Sequence, residues 1–183
     1  MTSSSSNGNF EDKMLPHLNA AYTLARWLTG SVQDAEDAVQ DAYVRALRFF
    51  DDYRGGDGRA WLLQIVRNTC YTRLRKSIAR ISDASFDEEV HIGECLSGTP
   101  ETIAIQLADS QMVKKAIEEL PLRYREILIL REIEGMSYSE IGEILNEPLG
   151  NIRTTLFRAR QRLKKRLIEI TAPENSKAVA ACE

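Results

Sequence analysis

Cysteine and histidine are scarce in this chain. Its 183 residues include three cysteines, Cys70, Cys95 and Cys182, and two histidines, His17 and His91. The cysteines share no metal-like spacing and each histidine stands alone. Neither a metal centre nor a catalytic constellation is expected, so the metal and cofactor expectation is none. Phosphate loops, nucleophile motifs and paired catalytic carboxylates are also missing, so the chain does not read as an enzyme. No apolar run approaches the length of a membrane span, and no membrane insertion is expected. The opening stretch, MTSSSSNGNFEDK, lacks the basic start and apolar segment of a secretory signal. Together with the few cysteines, this points to a reduced, cytoplasmic setting. A large net charge is lacking too: 24 basic residues stand against 27 acidic ones, for a net −3. Total charge therefore does not announce a nucleic-acid binder, but basic and acidic residues are segregated along the chain.

What is present is concentrated between Leu120 and Ile168. Pro121 sits as a first-helical-position proline, and Leu122, Ile127, Leu130 and Ile133 follow near-helical spacing until Gly135. Ser137 and Glu140 form a capping box for a short second helix, buried through Ile141, Ile144 and Leu145. Asn146 and Glu147 break it. Pro148 opens a third helix with Ile152, Leu156, Ala159 and Leu163 inward. From Gly150 to Ile168 that helix carries Arg153, Arg158, Arg160, Arg162, Lys164, Lys165 and Arg166 and no acid. Asn151, Arg153, Thr154 and Arg158, near its start, can bond base edges and phosphates. A short helix, a tight turn and a basic helix amount to a helix-turn-helix, whose second helix enters the DNA major groove. The later cations would lie along phosphates. A solvated basic face on a core helix is the plainer alternative, and the cap, turn and lengths together favour DNA.

The N-terminal part reads as a helical bundle. Residues 1 to about 10 are Ser/Asn/Gly-rich and suit a disordered tail. Met14 to Leu28 is a helix with Leu15, Leu18, Tyr22, Ala25 and Leu28 on one side, Pro16 in its first turn and Gly30 as its stop. Ser31 starts a second helix, with Val32, Ala35, Val39, Ala42, Ala46 and Phe49 available to a core. Its outer face holds Asp34, Glu36, Asp37, Gln40 and Asp41. Acids suit a helix N-terminus, yet Asp37, Gln40 and Asp41 also form a compact patch able to meet a basic protein; both readings stand. The glycine-rich loop DDYRGGDGRA leads to a third helix starting near Asp57 or Gly58. Its apolar side is Trp61, Leu62, Ile65, Val66 and Thr69. Arg59, Arg67, Arg73, Arg75, Lys76 and Arg80, interleaved with Trp61 and Tyr71, suit single-stranded nucleic acid. Trp61 reads more readily as core than as a stacking platform. For Asn68, a base contact and a core hydrogen bond are comparable.

Ser82 to Glu101 has acids and small residues but no Lys or Arg, which marks a flexible linker. Thr102 to Glu119 returns to helical spacing through Ile105, Leu107, Val113 and Ile117. The tail after Thr171 suits disorder. The fold expectation is all-α: two small helical domains, a bundle over 11–81 and a helix-turn-helix domain over 102–171, joined by an acidic linker over 82–101, with tails 1–10 and 172–183.

Four segments, taken in order, carry a resemblance. DAEDAVQDAYVRAL, YRGGDGRAWLLQIVRN, LPLRYREILILREIEGMSYSEIGEIL and GNIRTTLFRARQRL resemble bacterial RNA polymerase sigma factors of the small extracytoplasmic-function class, in the sigma-70 family. The likeness runs from about Met14 to Leu167. It implies an alternative sigma factor that binds core polymerase and directs promoter-specific initiation, with catalysis left to the polymerase. It implies that Asp37, Gln40 and Asp41, with Asp34 and Arg45, meet the clamp helices of the largest polymerase subunit. It implies that the loop Tyr53 to Arg59, including Arg54 and Gly55, and Asn68 capture a flipped base of the −10 element. It implies that Arg153, Thr154, Phe157 and Arg158, with Asn151 nearby, read the −35 element. Expected partners are core polymerase (clamp helices and flap), promoter DNA and an anti-sigma factor. A free-standing helix-turn-helix regulator and a helical adaptor that does not bind DNA are the alternatives.

Overall fold

In the computed structural model, residues 10–81 and 111–171 are described, and every regular element among them is helical. The linker and tail expectations for 1–9, 82–110 and 172–183 lie outside the described residues. A helical turn over 10–14 and a 3₁₀ turn, Leu15–His17, lead into α1, Leu18–Thr29. Gly30, at φ 75°, supplies the left-handed cap that ends α1. The Ser31 side chain accepts from the Asp34 N–H and starts α2, Val32–Arg48. A 3₁₀ turn, Phe50–Asp52, and a short loop precede α3, Gly58–Ile81.

These three helices pack pairwise around Met14, Leu24, Leu28, Val39, Leu62, Leu63 and Val66. The inward side of α2 is mostly alanine: Ala35, Ala38, Ala42 and Ala46 are all fully buried. Such small side chains let its neighbours come close. Several expected core positions differ. Leu15 and Leu18 are exposed, because the 3₁₀ turn rotates the lead-in and hands burial to Met14, Ala21 and Leu24. Val32 is also exposed. Phe49 is exposed and Phe50 buried, since α2 has already ended and the helical period no longer applies. Phe10, expected in a disordered tail, packs edge-on against Phe50 with ring centroids 5.2 Å apart.

The second unit starts with α4, residues 111–118, within the helix expected from Thr102. Pro121 is the residue before α5, Leu122–Leu128, one position earlier than expected, and its ψ of 139° lies outside the helical region. A π turn, Ile129–Ile133, extends α5. That widened turn rotates the face, so Ile127 to Leu130 are all buried while Ile133 is exposed. Gly135 at φ 66° ends the run. The complete Ser137/Glu140 capping box opens α6, Tyr138–Leu145. Asn146 closes it in the left-handed region at φ 53°. The Glu147 N–H then returns to the Gly142 carbonyl at 2.9 Å. An ideal Cβ on Gly142 would sit 3.0 Å from the Glu147 carbonyl oxygen, so the fold-back is shaped around a bare glycine. α7, Leu149–Thr171, follows, anchored by Ile152, Leu156 and Ala159.

The two units pack against each other. α3 lies along α6, and α1 touches α5.

Candidate nucleic-acid and polymerase interfaces

The first face is the N-terminal half of α7. Asn151, Arg153, Thr154, Phe157 and Arg158 are all exposed, and Ile152 and Leu156 hold the opposite side in the core. Phe157 is 63% exposed, unusual for a phenylalanine with no partner role. The Thr154 hydroxyl donates to the Gly150 carbonyl at 3.0 Å, which fixes its rotamer and leaves its lone pairs outward. The structure thus gathers all five residues expected to meet the −35 element on one surface.

The later cations of α7 behave differently. Arg160 donates to Glu132 at 2.6 Å, Arg162 lies over the Tyr124 ring at 5.3 Å, and Arg166 pairs with Glu119 and Glu169. Hydrogen bonding to these acids raises the pKa of Arg166 and of Arg160. Of the later cations expected along phosphates, Arg160, Arg162 and Arg166 thus already have partners within the fold.

The second face is the loop before α3. Gly55 at φ 89° and Gly56 at φ 101° turn the chain where a side chain would be strained. Asp57 Oδ1 accepts from the Arg59 N–H at 2.9 Å and starts the helix. The Tyr53 hydroxyl donates to the Gly56 carbonyl at 2.7 Å, while its ring stacks on Phe50 at 5.8 Å and meets Trp61 at 5.1 Å. A pocket of about 250 Å³ opens here, lined by Tyr53, Arg54, Gly55, Asp57, Trp61 and Gln64.

Of the residues expected at the −10 element, Tyr53, Arg54 and Gly55 come together at this pocket. Arg59 does not line it; its guanidinium pairs with Glu134 of the second unit. Asn68 is exposed two helical turns further along, accepting from Arg67 Nη1 at 3.4 Å. That exposure removes the core hydrogen-bond reading of Asn68. Trp61 and Gln64 belong to the site and were not counted in it. Trp61 is half-buried, so one ring face packs in the fold while another walls the pocket. The aromatic spacing of Phe50, Tyr53 and Trp61 was the available signal.

The third face is on α2. Asp34, Gln40, Asp41 and Arg45 are exposed and Asp37 is half-buried. Arg73 of α3 forks between Asp37 and Asp41, 2.8 Å from a carboxylate oxygen of each. The acidic patch is thus held in register by a cation from the next helix rather than by the helix start alone.

Between the units sits Glu126, whose side chain is fully buried. It accepts from Arg67 and, at 3.1 Å, from the Tyr71 hydroxyl. Burial pushes its pKa up, opposed by the Arg67 charge. Burial likewise moves the Tyr71 hydroxyl to about 12. Among the described residues no cluster of side chains could hold a metal ion, and no helix is long and apolar enough to cross a membrane.

Comparison with known proteins agrees with this division. Residues 14–79 match the family model for Sigma-70 region 2, and residues 110–163 match that for Sigma-70, region 4. The ECF RNA polymerase sigma factor SigW of Bacillus subtilis is 32% identical over 88% of this chain and 90% of its own length. The ECF RNA polymerase sigma-E factor of Escherichia coli is 33% identical over 73% of this chain and 74% of its own. SigE of Mycolicibacterium smegmatis is 30% identical over 85% of this chain, which spans only 60% of that longer relative. Among solved structures, the sigma factor RpoE of Bartonella quintana, in complex with the anti-sigma factor NepR, is similar with a TM-score of 0.73. It is 31% identical and covers 87% of this chain and 96% of its own. With both conserved regions in order and relatives such as SigW matched over 90% of their own length, the chain belongs to the ECF class of sigma-70 RNA polymerase sigma factors.

Proposed function

We propose that this sigma factor divides its work over the three faces described above. The exposed half of α7 reads the −35 element in the major groove through Asn151, Arg153, Thr154, Phe157 and Arg158. Each base pair shows a distinct donor and acceptor pattern there. The loop pocket takes an extruded base of the −10 strand, with Tyr53, Arg54 and Gly55 at its mouth and Arg59 and Asn68 along the flanking strand. Capture in a pocket offsets an unstacking cost of a few kcal/mol. The α2 patch of Asp34, Asp37, Gln40, Asp41 and Arg45 docks on the clamp helices of core polymerase. The functional units are 11–81 and 102–171, with 82–101 between them and tails at 1–10 and 172–183. Tethering two weak sites in one chain raises the effective concentration of the second once the first is bound.

The chain is a binding factor and not an enzyme, and it works in the cytoplasm beside its polymerase. The Bartonella quintana relative supports restraint by an anti-sigma factor. The observation that carries the reading is the exposed α7 surface, with Arg153 and Arg158 turned outward and Phe157 bare. The test is co-elution with bacterial core polymerase followed by run-off transcription from the chain's own upstream region. Co-elution with a defined transcript is expected. Arg153→Ala or Arg158→Ala should lose the transcript while keeping co-elution. Equal loss of core binding would move the function of α7 away from DNA.

A further inference from the structure

The base pocket has a support that lies outside the matched regions. Phe10 and Lys13 precede the stretch 14–79 that matches region 2. They belong to the helical turn over 10–14, and that turn rests on the loop that shapes the pocket. Phe10 is buried, edge-on against Phe50 at 5.2 Å and against Tyr43 at 6.3 Å. Phe50 stacks in turn on Tyr53, and Tyr53 meets Trp61; Tyr53 and Trp61 both line the pocket. Lys13 Nζ lies 5.6 Å from the centre of the Tyr53 ring and 5.9 Å from that of Phe50. The Tyr43 hydroxyl pins the turn to α2 by donating to the Met14 carbonyl at 2.9 Å. At the start of α3, a Cβ on Gly58 would lie 3.3 Å from the Tyr53 hydroxyl oxygen and 3.4 Å from Met14 Cε. The loop is thus clasped between the turn and α3.

A clasp matters here because the loop does little to hold itself. Gly55 and Gly56 both have positive φ, and the N–H groups of Arg54, Gly55 and Gly56 make no backbone hydrogen bond among the described residues. The bond that spans them runs from the Tyr53 hydroxyl to the Gly56 carbonyl, so their path follows the Tyr53 ring. Edge-to-face aromatic pairs are directional and can fix such a ring. A loop that spends only part of its time in the capture shape binds more weakly in proportion to that fraction. We propose that the turn over 10–14 belongs to the −10 apparatus, with Phe10 as a positioning residue that holds the Phe50–Tyr53–Trp61 stack and keeps the base pocket in its capture shape before the strand arrives. This rests on the reading of that pocket as the seat of the extruded base.

The test uses holoenzyme reconstituted with the full chain. Fork-junction DNA, duplex through the −35 element and single-stranded over the −10 strand, is first selected by wild-type holoenzyme from a randomised pool. Scanning 2-aminopurine along its single strand finds the position whose fluorescence rises on binding, which marks the extruded base. An abasic residue at that position removes the base and leaves the phosphates. The ratio of native to abasic affinity then measures capture alone. Phe10→Ala should bring that ratio down towards one, by up to about tenfold, as when a capture-ready fraction near one falls to about a tenth. Its affinity for the abasic fork should stay near wild type. Phe10→Leu keeps an apolar side chain there without a ring and should lower the ratio by a smaller factor, which keeps the test decisive if the alanine variant folds poorly. Leu28→Ala, at a buried position on the far end of α1 from the turn, is the comparison. A loss of folded protein weakens binding to both forks alike and leaves the ratio unchanged. A wild-type ratio in both Phe10 variants, or the same fall in Leu28→Ala, overturns the proposal and leaves the pocket assignment standing. A wild-type holoenzyme that binds native and abasic forks equally overturns the pocket assignment, and the proposal falls with it.

Discussion

Glycine to alanine inside a helix ordinarily stabilises by about 0.5–1 kcal/mol. Two glycines of the helix-turn-helix should respond with opposite signs. At Gly150, in the first turn of α7, an added Cβ meets nothing within 4 Å. Gly150→Ala should therefore stabilise by a few tenths to about 1 kcal/mol. At Gly142 the same methyl group would lie 3.0 Å from the Glu147 carbonyl oxygen, 3.8 Å from Leu149 Cδ2 and 4.0 Å from Ile152 Cγ1. Comfortable carbon–oxygen contacts begin near 3.3 Å, so the carbonyl must withdraw by a few tenths of an ångström. It is backbone, and it belongs to a turn held by Asn146 in the left-handed region and by the Glu147 N–H on Gly142. Overpacking of this kind costs about 1–3 kcal/mol. Set against the helical gain, Gly142→Ala should lose about 1 kcal/mol, or roughly 2–4 °C in Tm for a chain of this size. The withdrawn turn carries Pro148 and the start of α7 with it, so −35-dependent transcription should fall further than stability does. Thermal melts of both variants, with run-off assays in holoenzyme, decide the matter. A Tm that rises for both glycines would refute the close-approach account of the turn.

Four further outcomes are expected. Ser137→Ala removes the acceptor for the Glu140 N–H and should cost about 1 kcal/mol in denaturant unfolding. Arg73→Ala breaks two partly exposed pairs with Asp37 and Asp41 and should change stability by less than about 1 kcal/mol; a much larger loss would make the fork structural rather than orienting. Cys70 is fully buried and its thiol pKa is pushed up to about 12, so mass spectrometry should find it unalkylated after native iodoacetamide treatment at pH 8. Glu126, whose pKa is raised by burial, holds its proton more readily folded than unfolded. Its contribution is therefore full below the ordinary carboxylate value and is lost as pH climbs through the raised one, and Glu126→Gln should flatten that part of the stability profile.

Local chemistry was legible in the sequence because it depends on residues close in the chain. The Ser137/Glu140 box, the stops at Gly30 and Gly135 and the break at Asn146 each need only their neighbours. The inward face of α7 was legible because the helix is long and regular. Errors cluster where the period changes. A 3₁₀ turn moved burial from Leu15 to Met14, another element's end exchanged Phe49 for Phe50, and the π turn exposed Ile133. The exposure of the candidate faces was legible residue by residue, but the partners their side chains find within the fold were not. Nothing around Glu126 in the chain, between Arg125 and Ile127, marks it for burial; its partners Arg67 and Tyr71 are more than fifty positions away.

The cations sort by their partners, and that sorting says more than their number. Arg59, Arg67, Arg73, Arg160 and Arg166 each have a carboxylate within the fold. Among the described residues, Arg153 and Arg158 have none within ion-pair distance, and both are exposed at the start of α7. An unpaired cation that meets a phosphate releases condensed counterions, adding about 0.9 to the salt slope for each phosphate neutralised. A cation that must first leave a carboxylate gains less, because the acid it abandons is left to solvent and salt. Sequence counting treats the basic residues of α3 and α7 alike, as one positive footprint. The fold separates them: Arg59 and Arg67 of α3 pair with Glu134 and Glu126 of the second unit, whereas Arg153 and Arg158 stand exposed on α7.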